Sequence, residues 1–552
     1  MNKLALIVIV TALAACDENA SRARVDSGGT IVILTGADPG TLFPPLIGRI
    51  QGKQIAEEIY DYLADVGPDL NTRNERGFRR QLAESWRWSP DSLQISFQIN
   101  PRARWHDGRR VTARDVAFTF ALNRNPELAS YYASSLTNID SVTVVDSLTP
   151  KFWFHRPLPT RFLDAAAQLL ILPAHQLENI RASALRETPP PPVGSGRFRF
   201  RNWNKGSSIE IVADTGNYRG RAIVDRVIWS VVPDVVAALA RLWAGEGDVY
   251  DGLRPQDLSD LARHRSLRAI ILPGMEYAFL RFNLRDPTDT AKPHPLFNER
   301  ELRRAITLAI DRQALLRNLL DTFALVPVGP VVRPYPTTDP TISQLPYDSA
   351  RAYRLLDSLG WVRRGADGIR AKNGRDLAFT ILIPTNSLNR QRAGVVIQSQ
   401  LRRAGVKVNL ELLEVNTEIA REEVGAFDAA LDPASMAASP DGTWDYWSSK
   451  GFVPNGANFG RYASPAFDAA FDSALKADSV RSRDAFSRAY AIINEDAPAV
   501  WLYEARKIIG VHRRIHTNVM RPDAWWFSLA DWFIPASERI ARDRIPPLFR
   551  GR

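Results

Sequence analysis

Cysteine is almost absent from this chain: Cys16 is the only one in 552 residues. No disulfide can therefore form within the chain. The sequence also has no glycine-rich loop that ends in Gly-Lys-Ser or Gly-Lys-Thr, and no Gly-x-Ser-x-Gly turn. These absences argue against a phosphate-binding loop and against a serine hydrolase of that type. Blocks of basic residues are missing too. The net charge is +10, but the arginines are scattered among acidic residues.

The first residues of the chain form a secretory signal. Lys3 precedes an apolar run of about ten residues, roughly half of what a membrane-spanning helix needs. Small residues then lead to Cys16, and Leu13-Ala-Ala-Cys16 resembles a bacterial lipobox, in which the cysteine is acylated and the peptide before it is removed. We expect lipidation at Cys16, a polar tether after it, and a mature chain anchored on the periplasmic side of the cytoplasmic membrane.

The composition indicates a large globular protein, with 45% hydrophobic and 24% charged residues. Short β-branched runs alternate with amphipathic helical runs, which predicts an α/β architecture of several lobes. Export and the scattered charge argue against nucleic acid as a partner.

Local patterns predict several elements in the first half of the chain. Residues 93–99 alternate polar and apolar side chains, typical of a strand with one buried face. Thr112 and Asp115 form a variant capping box ahead of the helical run 116–122. Residues 188–193 are rich in proline and poor in N–H donors, so we expect them to cross between lobes.

The second half carries its own α/β pattern. Residues 348–360 have a capping residue, an apolar stripe and a final glycine, which predicts a complete surface helix. Residues 395–403 repeat this pattern and lead into an alternating strand at 406–412. This region is therefore expected to be a lobe of its own.

Several segments together resemble one known family. They are Leu82-Ala-Glu-Ser-Trp86, Ser89-Pro-Asp91, Trp105-His-Asp-Gly108, Val111-Thr-Ala-Arg-Asp-Val116, Val193-Gly-Ser-Gly-Arg-Phe-Arg-Phe200, Gly245-Glu-Gly-Asp248, Phe282-Asn283, Pro295-Leu-Phe-Asn298 and Arg303-Arg-Ala-Ile-Thr-Leu-Ala-Ile-Asp-Arg312. In order and spacing they are similar to family 5 of the extracytoplasmic solute-binding lipoproteins, the oligopeptide-, dipeptide- and nickel-binding group that serves ABC importers. Asn100 and Arg102 depart from the family's usual basic residue and glycine, which we interpret as a turn variation.

The resemblance implies a bilobed α/β clamp with two hinge crossings, near residues 273–277 and 497–503, and an extra domain inserted in the first lobe. The expected divisions are a signal peptide (1–15), a lipid-anchored tether (16–28), lobe I in two parts (29–58 and 188–275), the inserted domain (59–187), lobe II (276–498), the return to lobe I (499–537) and a basic tail (538–552). The implied function is that of a monomer that captures a peptide-like solute by hinge closure and delivers it to permease subunits. No cofactor, metal or catalytic group is implied.

One departure from the family bears on the solute. Peptide-binding relatives offer a tryptophan and, three residues later, a carboxylate for the peptide's N-terminal ammonium. The corresponding segment here, 427–442, has Ala434 or Pro433 at the tryptophan position and Ala437 or Met436 at the carboxylate position. A buried ammonium without its anion costs about 3–5 kcal/mol, which puts an ordinary peptide in question unless Asp432 or Asp441 substitutes. An oligosaccharide or a metal chelate is the alternative solute.

The candidate ligand-binding residues come from the loop after the first strand, from both crossings and from the second lobe. They are Thr41, Leu42, Phe43, Tyr277, Phe279, Arg281, Met436, Asp441, Trp444, Trp447, Trp501 and Tyr503. Aromatic rings suit sugars and apolar side chains, although each ring has ordinary core packing as its alternative. Arg281 would pair with a carboxylate or phosphate of the solute, or form a salt bridge at the hinge.

Other functions are less well supported by the sequence. His512 and His516 have helical metal spacing, but Arg513 stands where a zincin needs glutamate, and the flanking residues indicate a strand. Ser195 lies between two glycines in what resembles the family's backbone turn. A sensor or chaperone-like lipoprotein without an importer, and an exported hydrolase, remain the alternatives outside transport.

Overall fold

The computed structural model describes residues 27–363, 367–453 and 456–544. The signal peptide, Cys16, almost all of the tether and residues 545–552 lie outside these described residues. Within them, no helix has both the length and the apolar composition needed to cross a membrane.

The strands of the described residues, in chain order, are β1 (Thr30–Thr35), β2 (Ala64–Val66), β3 (Phe78–Arg80), β4 (Ala83–Trp88), β5 (Gln94–Ile99), β6 (Ile139–Asp146), β7 (Thr149–Phe154), β8 (Phe198–Asn204), β9 (Ser208–Ala213), β10 (Arg226–Val231), β11 (Val249–Leu253), β12 (Leu267–Leu272), β13 (Glu276–Phe282), β14 (Ala324–Leu325), β15 (Val362–Arg363), β16 (Arg370–Lys372), β17 (Arg375–Asp376), β18 (Ala378–Pro384), β19 (Lys407–Leu413), β20 (Ala429–Ser435), β21 (Ala499–Ala505) and β22 (Lys507–His512).

The α-helices are α1 (Ile50–Ile59), α2 (Ala113–Asn123), α3 (Arg161–Ala166), α4 (Ala174–Leu177), α5 (Ala182–Glu187), α6 (Val235–Trp243), α7 (Leu258–Arg263), α8 (Arg300–Ala309), α9 (Arg312–Leu319), α10 (Ser349–Ser358), α11 (Leu388–Arg403), α12 (Val415–Val424), α13 (Thr443–Trp447), α14 (Pro465–Lys476) and α15 (Ser482–Asp496). The predicted strand at 93–99, the capped helix after Thr112 and the helix at 348–360 are confirmed. Helix α11 begins earlier than the predicted 395.

The first lobe is built on a seven-stranded sheet in the order β12-β22-β11-β1-β10-β9-β8. β1 lies in its middle, parallel to β10 and β11, and all six of its residues are buried. Such a continuous apolar run is typical of a strand covered on both faces. The second lobe is built on a six-stranded sheet in the order β14-β21-β13-β20-β18-β19.

The inserted domain carries the β2–β3 pair and a four-stranded sheet in the order β4-β5-β7-β6. Its two ends lie side by side: the backbone N–H of Ile171 donates a hydrogen bond to the carbonyl of Asp61 at 2.9 Å. Leu172, Leu177 and Leu185 pack in the core of the first lobe. The expected end of this domain at residue 187 is therefore too late, and the domain ends near residue 171.

The proline-rich segment 188–193 does not cross between the two lobes. It joins α5 to β8, and both of these elements contribute side chains to the first-lobe core. The fixed backbone angles of its prolines predict a stiff segment, but stiffness carries no information about which cores the flanking elements join.

The return crossing also lies later than expected. β21 pairs with β13 in the six-stranded sheet, and β22 pairs with β11 and β12 in the seven-stranded sheet. The chain therefore returns to the first lobe at Arg506, and residues 499–505 belong to the second lobe.

The described part of the expected basic tail packs against the first lobe. The Asp543 carboxylate is buried, contacts Arg514 Nη1 at 2.6 Å and accepts the backbone N–H of Thr30 at 2.9 Å. Arg542 pairs with Asp248 at 2.6 Å. Residues 538–544 are thus held by buried ion pairs near the start of β1 and do not form a free tail.

Candidate functional site

The outgoing hinge crossing contacts the end of β21, next to the returning crossing, through main-chain atoms. The outgoing crossing is Pro273–Gly274–Met275, between β12 and β13, and the returning one is Arg506. A Cβ atom on Gly274 would lie only 2.0 Å from the carbonyl oxygen of Ala505. Only glycine allows this close approach.

Four of the aromatic candidates pack against one another inside the molecule. Tyr277, Phe279, Trp447 and Trp501 are each at most 1% exposed. The rings of Trp447 and Trp501 meet edge to face at 4.8 Å, and Trp447 Nε1 donates to the Tyr277 hydroxyl at 3.0 Å. In this conformation the structure gives these four side chains the packing role that was the alternative to solute binding.

Arg281 forms the salt bridge that was the alternative to ligand pairing. Its Nε atom contacts Asp432 Oδ2 at 2.6 Å and its Nη1 donates to the carbonyl of Ala457 at 2.9 Å. The guanidinium also lies over the rings of Phe279 and Phe459, at 5.1 and 5.2 Å. Arg281 is buried and is held by Asp432 and the carbonyl of Ala457.

Two acidic side chains in segment 427–442 were possible substitutes for the missing carboxylate, and both have guanidinium partners. Asp432 pairs with Arg281, and Asp441 pairs with Arg73 of the inserted domain at 3.1 Å. Neither carboxylate is free for an ammonium group in this conformation.

One edge of strand β20 lacks a neighbouring strand. β18 pairs with β20 only at Ala429 and Ala430, whereas β13 pairs with β20 as far as Ser435. Among the described residues, no strand pairs with 431–435 on the β18 side. On that side, the carbonyl of Leu431 accepts a hydrogen bond from Nη1 of Arg390 at 3.2 Å. Pro433 has no backbone N–H, so no donor is left unpaired at that residue.

Glu276 and Ser435 lie together at the end of this free edge. Both are exposed, and the Ser435 hydroxyl donates to Glu276 Oε2 at 2.9 Å. The N–H of Met436 donates to the carbonyl of Met275, so the even-numbered residues here face β13. By alternation, the backbone groups of Ser435 face the free edge.

The remaining candidates lie in separate places. Trp444 is half-buried and packs on Phe471, and Tyr503 is buried in the core on the other face of the second-lobe sheet. Thr41, Leu42 and Phe43 line a first-lobe cavity of about 760 Å³ together with Tyr131, Trp203 and the proline-rich segment. The structure therefore does not bring the predicted site residues into one group.

Glu276, Ser435 and Arg390 were missed by sequence reasoning. Each is polar and lies at the end of a strand or the start of a helix, where ordinary solvated residues are also found. The signal that could have found Glu276 is its position as the first residue after the outgoing crossing.

Ser195 and the two spaced histidines do not form a reactive group. The buried Ser195 hydroxyl donates to Asp61 Oδ2 at 3.0 Å, and a Cβ on Gly194 would lie 1.8 Å from the carbonyl oxygen of Ile59. His512 ends β22, and His516 stacks on Phe533 at 4.8 Å. Among the described residues, the one group of three or more potential metal ligands is Glu418, Glu422 and Asp432.

Two sheet-based lobes, a pair of adjacent crossings and an exposed strand edge beside them define a bilobed binding protein. The family model "Bacterial extracellular solute-binding proteins, family 5 Middle" matches residues 77–455. This chain belongs to that family of extracytoplasmic solute-binding proteins.

The chain is similar to relatives that are named for different ligands. It is 25% identical over 549 residues to the oligopeptide-binding protein AppA of Bacillus subtilis, covering 96% of this chain and 97% of AppA. It is 24% identical over 549 residues to heme-binding protein A of Haemophilus influenzae, covering 92% and 93%. The AppA structure in complex with a nonapeptide superposes with a TM-score of 0.75 at 24% identity, over 93% of this chain and 100% of AppA.

Proposed function

We propose that this protein captures peptides outside the cytoplasm and passes them to the permease subunits of an ABC importer. The observation that carries the proposal is the free edge of β20 beside the hinge. An extended peptide added along 431–435 would gain main-chain hydrogen bonds that are independent of its side chains. AppA, a relative at 25% identity, is named for oligopeptide binding, which supports the same solute class.

The exposed carboxylate of Glu276 is the proposed partner of the peptide's N-terminal ammonium. It lies at the end of the free edge, 2.9 Å from the Ser435 hydroxyl. Among the described residues, no arginine or lysine forms an ion pair with it. It would take the role of the carboxylate that is missing at Met436 and Ala437. Met436 and Trp444 lie in the same second lobe as Glu276 and remain proposed contacts, whereas Tyr503 is buried on the other face of that lobe's sheet.

Closure of the lobes would convert binding into a signal for the importer. A solute that is bound to the second lobe and also contacts the first binds the closed form more tightly than the open form. This difference in affinity stabilises the closed form. Thr41, Leu42 and Phe43 are the proposed first-lobe contacts. A binding role needs no catalytic group, which agrees with the structural use of Ser195.

The proposed setting is the periplasmic face of the cytoplasmic membrane. Acylation of Cys16 would hold the protein there as a monomer, close to the permease. Mass spectrometry of the purified chain tests this, because a diacylglycerol-modified Cys16 adds a lipid mass to the N-terminal peptide.

The first test is a thermal-shift screen of the protein after unfolding and refolding to remove carried-over solute. We expect peptides of two to five residues to raise the melting temperature, since ligand at about 100 times its Kd adds about 2.7 kcal/mol of stability. Oligosaccharides and metal chelates are the comparison sets. A response confined to either of these would overturn the peptide proposal but leave the binding-protein fold intact.

The second test pairs Glu276→Gln with N-acetylation of the best peptide. We expect wild-type protein to bind the free-amine peptide at least ten-fold more tightly than the acetylated one, because only the free amine carries a charge for Glu276. Glu276→Gln should abolish that difference, as measured by isothermal titration calorimetry. Glu423→Gln, an exposed change on α12, is the matched control. An unchanged preference in Glu276→Gln would contradict the assignment of Glu276.

A further inference from the structure

Three carboxylates meet beneath the second-lobe sheet without enough positive charge to balance them. Glu418 and Glu422 lie one turn apart on α12, and Asp432 comes from β20. One ligand oxygen from each lies within 4.8 Å of the other two, and the residues are only 2%, 1% and 7% exposed. We call this group the α12–β20 carboxylate cluster.

Two oxygens of the carboxylate cluster have no hydrogen-bond partner among the described residues. These are Glu418 Oε1 and Glu422 Oε2, and both are buried. Glu422 Oε2 is 3.5 Å from Nε of Arg281, but that N–H is directed to Asp432 at 2.6 Å. Buried polar atoms are almost always partnered in folded proteins, so orphaned carboxylate oxygens point to a missing cation or proton.

The charge count favours a divalent cation. When all three carboxylates are ionised they carry a charge of −3, and the buried Arg281 contributes +1, which leaves −2 among the buried groups. Arg390 also faces Glu418, but it is partly exposed and its Nη1 donates to the carbonyl of Leu431. Arg281 is itself fixed by Asp432, Ala457 and the surrounding rings, so it does not move to serve Glu418. A hard divalent ion would bring the buried group to neutrality and would use oxygen ligands only.

The spacing also fits such an ion. Calcium takes oxygen ligands at about 2.3–2.6 Å, so oxygens on opposite sides of the ion lie about 4.6–5.2 Å apart. The ligand oxygens of the carboxylate cluster all lie within 4.8 Å of one another, which is close enough for the three to contact one such ion. We propose that Glu418, Glu422 and Asp432 bind one divalent cation of the size of Ca²⁺. Asp432 belongs to segment 431–435 of the peptide-binding edge proposed above, but it would contribute a side-chain oxygen to the ion, whereas its main-chain groups face β13.

Protons are the competing occupants of these oxygens. Burial raises the pKa of Glu418 to about 7 and raises the pKa of Glu422 well above its ordinary value. The charged groups that face them are Arg281, Arg390 and Asp432.

The test uses the full chain, purified in detergent and treated with EDTA, with calcium chloride as the probe. Calorimetry at pH 8 should show binding of one Ca²⁺, and the melting temperature should rise with calcium concentration. Magnesium and zinc chloride are run in parallel to establish which ion is preferred.

The variants separate this site from other acidic groups. Glu418→Gln and Glu422→Gln should each weaken calcium binding at least ten-fold, while Glu423→Gln, the exposed neighbour on the same helix, should bind as wild type does. Glu418→Gln removes a side chain whose Oε1 has no partner, so its melting temperature without calcium should not fall.

Three results would overturn the proposal. One is the absence of any calcium response in wild type at pH 8. The second is equal calcium binding by wild type and Glu418→Gln, which would place the ion elsewhere. The third is stabilisation by Glu418→Gln at pH 8 in a protein that ignores calcium, which would make the carboxylate cluster a proton site.

Discussion

At the scale of single residues, the same side chain can satisfy either of two roles, and its distant neighbours decide between them. Arg281 had two roles open in the sequence, and Asp432, 151 residues away, decides for the salt bridge. The carboxylate cluster could not be predicted for the same reason, because Glu422 and Asp432 meet only when α12 packs beside β20. Sequence spacing reports neighbours along one element and is silent about neighbours across elements.

Burial of single acidic residues predicts a dependence of stability on pH. Glu58 lines a cavity of about 160 Å³ in the first lobe, and burial raises its pKa to about 8. Its unfolded pKa is near 4.5, so between pH 4.5 and 8 the folded state holds a proton that the unfolded state has lost. The stability linked to Glu58 is therefore fully present below pH 4.5 and is lost as the pH rises towards 8.

We expect Glu58→Gln to flatten this decline. The slope that disappears should be at most about 1.4 kcal/mol per pH unit. Urea unfolding at several values between pH 5 and 9 measures it, and Glu84→Gln, an exposed change on β4, serves as the control. Parallel pH curves for wild type and Glu58→Gln would show that Glu58 is ionised in the folded protein.

At the scale of helices and strands, local signals predicted whether an element forms better than which sheet or lobe it joins. The capping box at Thr112 and the cap at Asp348 correctly predicted helices, because the stabilising contacts lie within a few residues. Membership of a sheet was predicted less well. β21 looks like any buried strand, and only its pairing with β13 assigns it to the second lobe.

The contact at the hinge crossings gives a prediction at this scale. Gly274→Ala should lower the free energy of unfolding by about 1–3 kcal/mol, because the added methyl group meets the Ala505 carbonyl and forces the crossings apart. Gly216→Ala is the matched control, since nothing lies within 4 Å of a Cβ there. Chemical denaturation compares the two, and equal stabilities would mean that the crossings separate without cost.

At the scale of the whole molecule, the inserted domain contacts the second lobe as well as the first. Residues of both belong to one continuous apolar core. Arg73 of the inserted domain donates to the carbonyls of Ala474, Leu475 and Ala477 at the end of α14, at 2.8–3.1 Å, where the helix dipole favours a positive charge. The resemblance predicted the inserted domain but not this contact, which depends on the relative placement of two bodies.

Loss of this contact should shift the protein towards an open form. We expect Arg73→Gln to increase the radius of gyration measured by small-angle X-ray scattering, because Asp441 and three carbonyls lose a buried partner that joins the inserted domain to the second lobe. Solute affinity should fall with it, since less of the protein is in the binding-competent form. Arg76→Gln, an exposed neighbour, should scatter as wild type does. An unchanged radius for Arg73→Gln would mean that this contact does not hold the lobes together.

The main-chain contact at Gly274 also limits the kind of motion that the lobes can make. Two connecting segments in contact should behave like a flat strip, which bends easily across its thin direction and resists bending in its own plane. We therefore expect opening to be a rotation about a single axis, described by one angle. Solutes of different length would hold the two lobes at different opening angles, so a measurement of that one angle could rank the solutes by length.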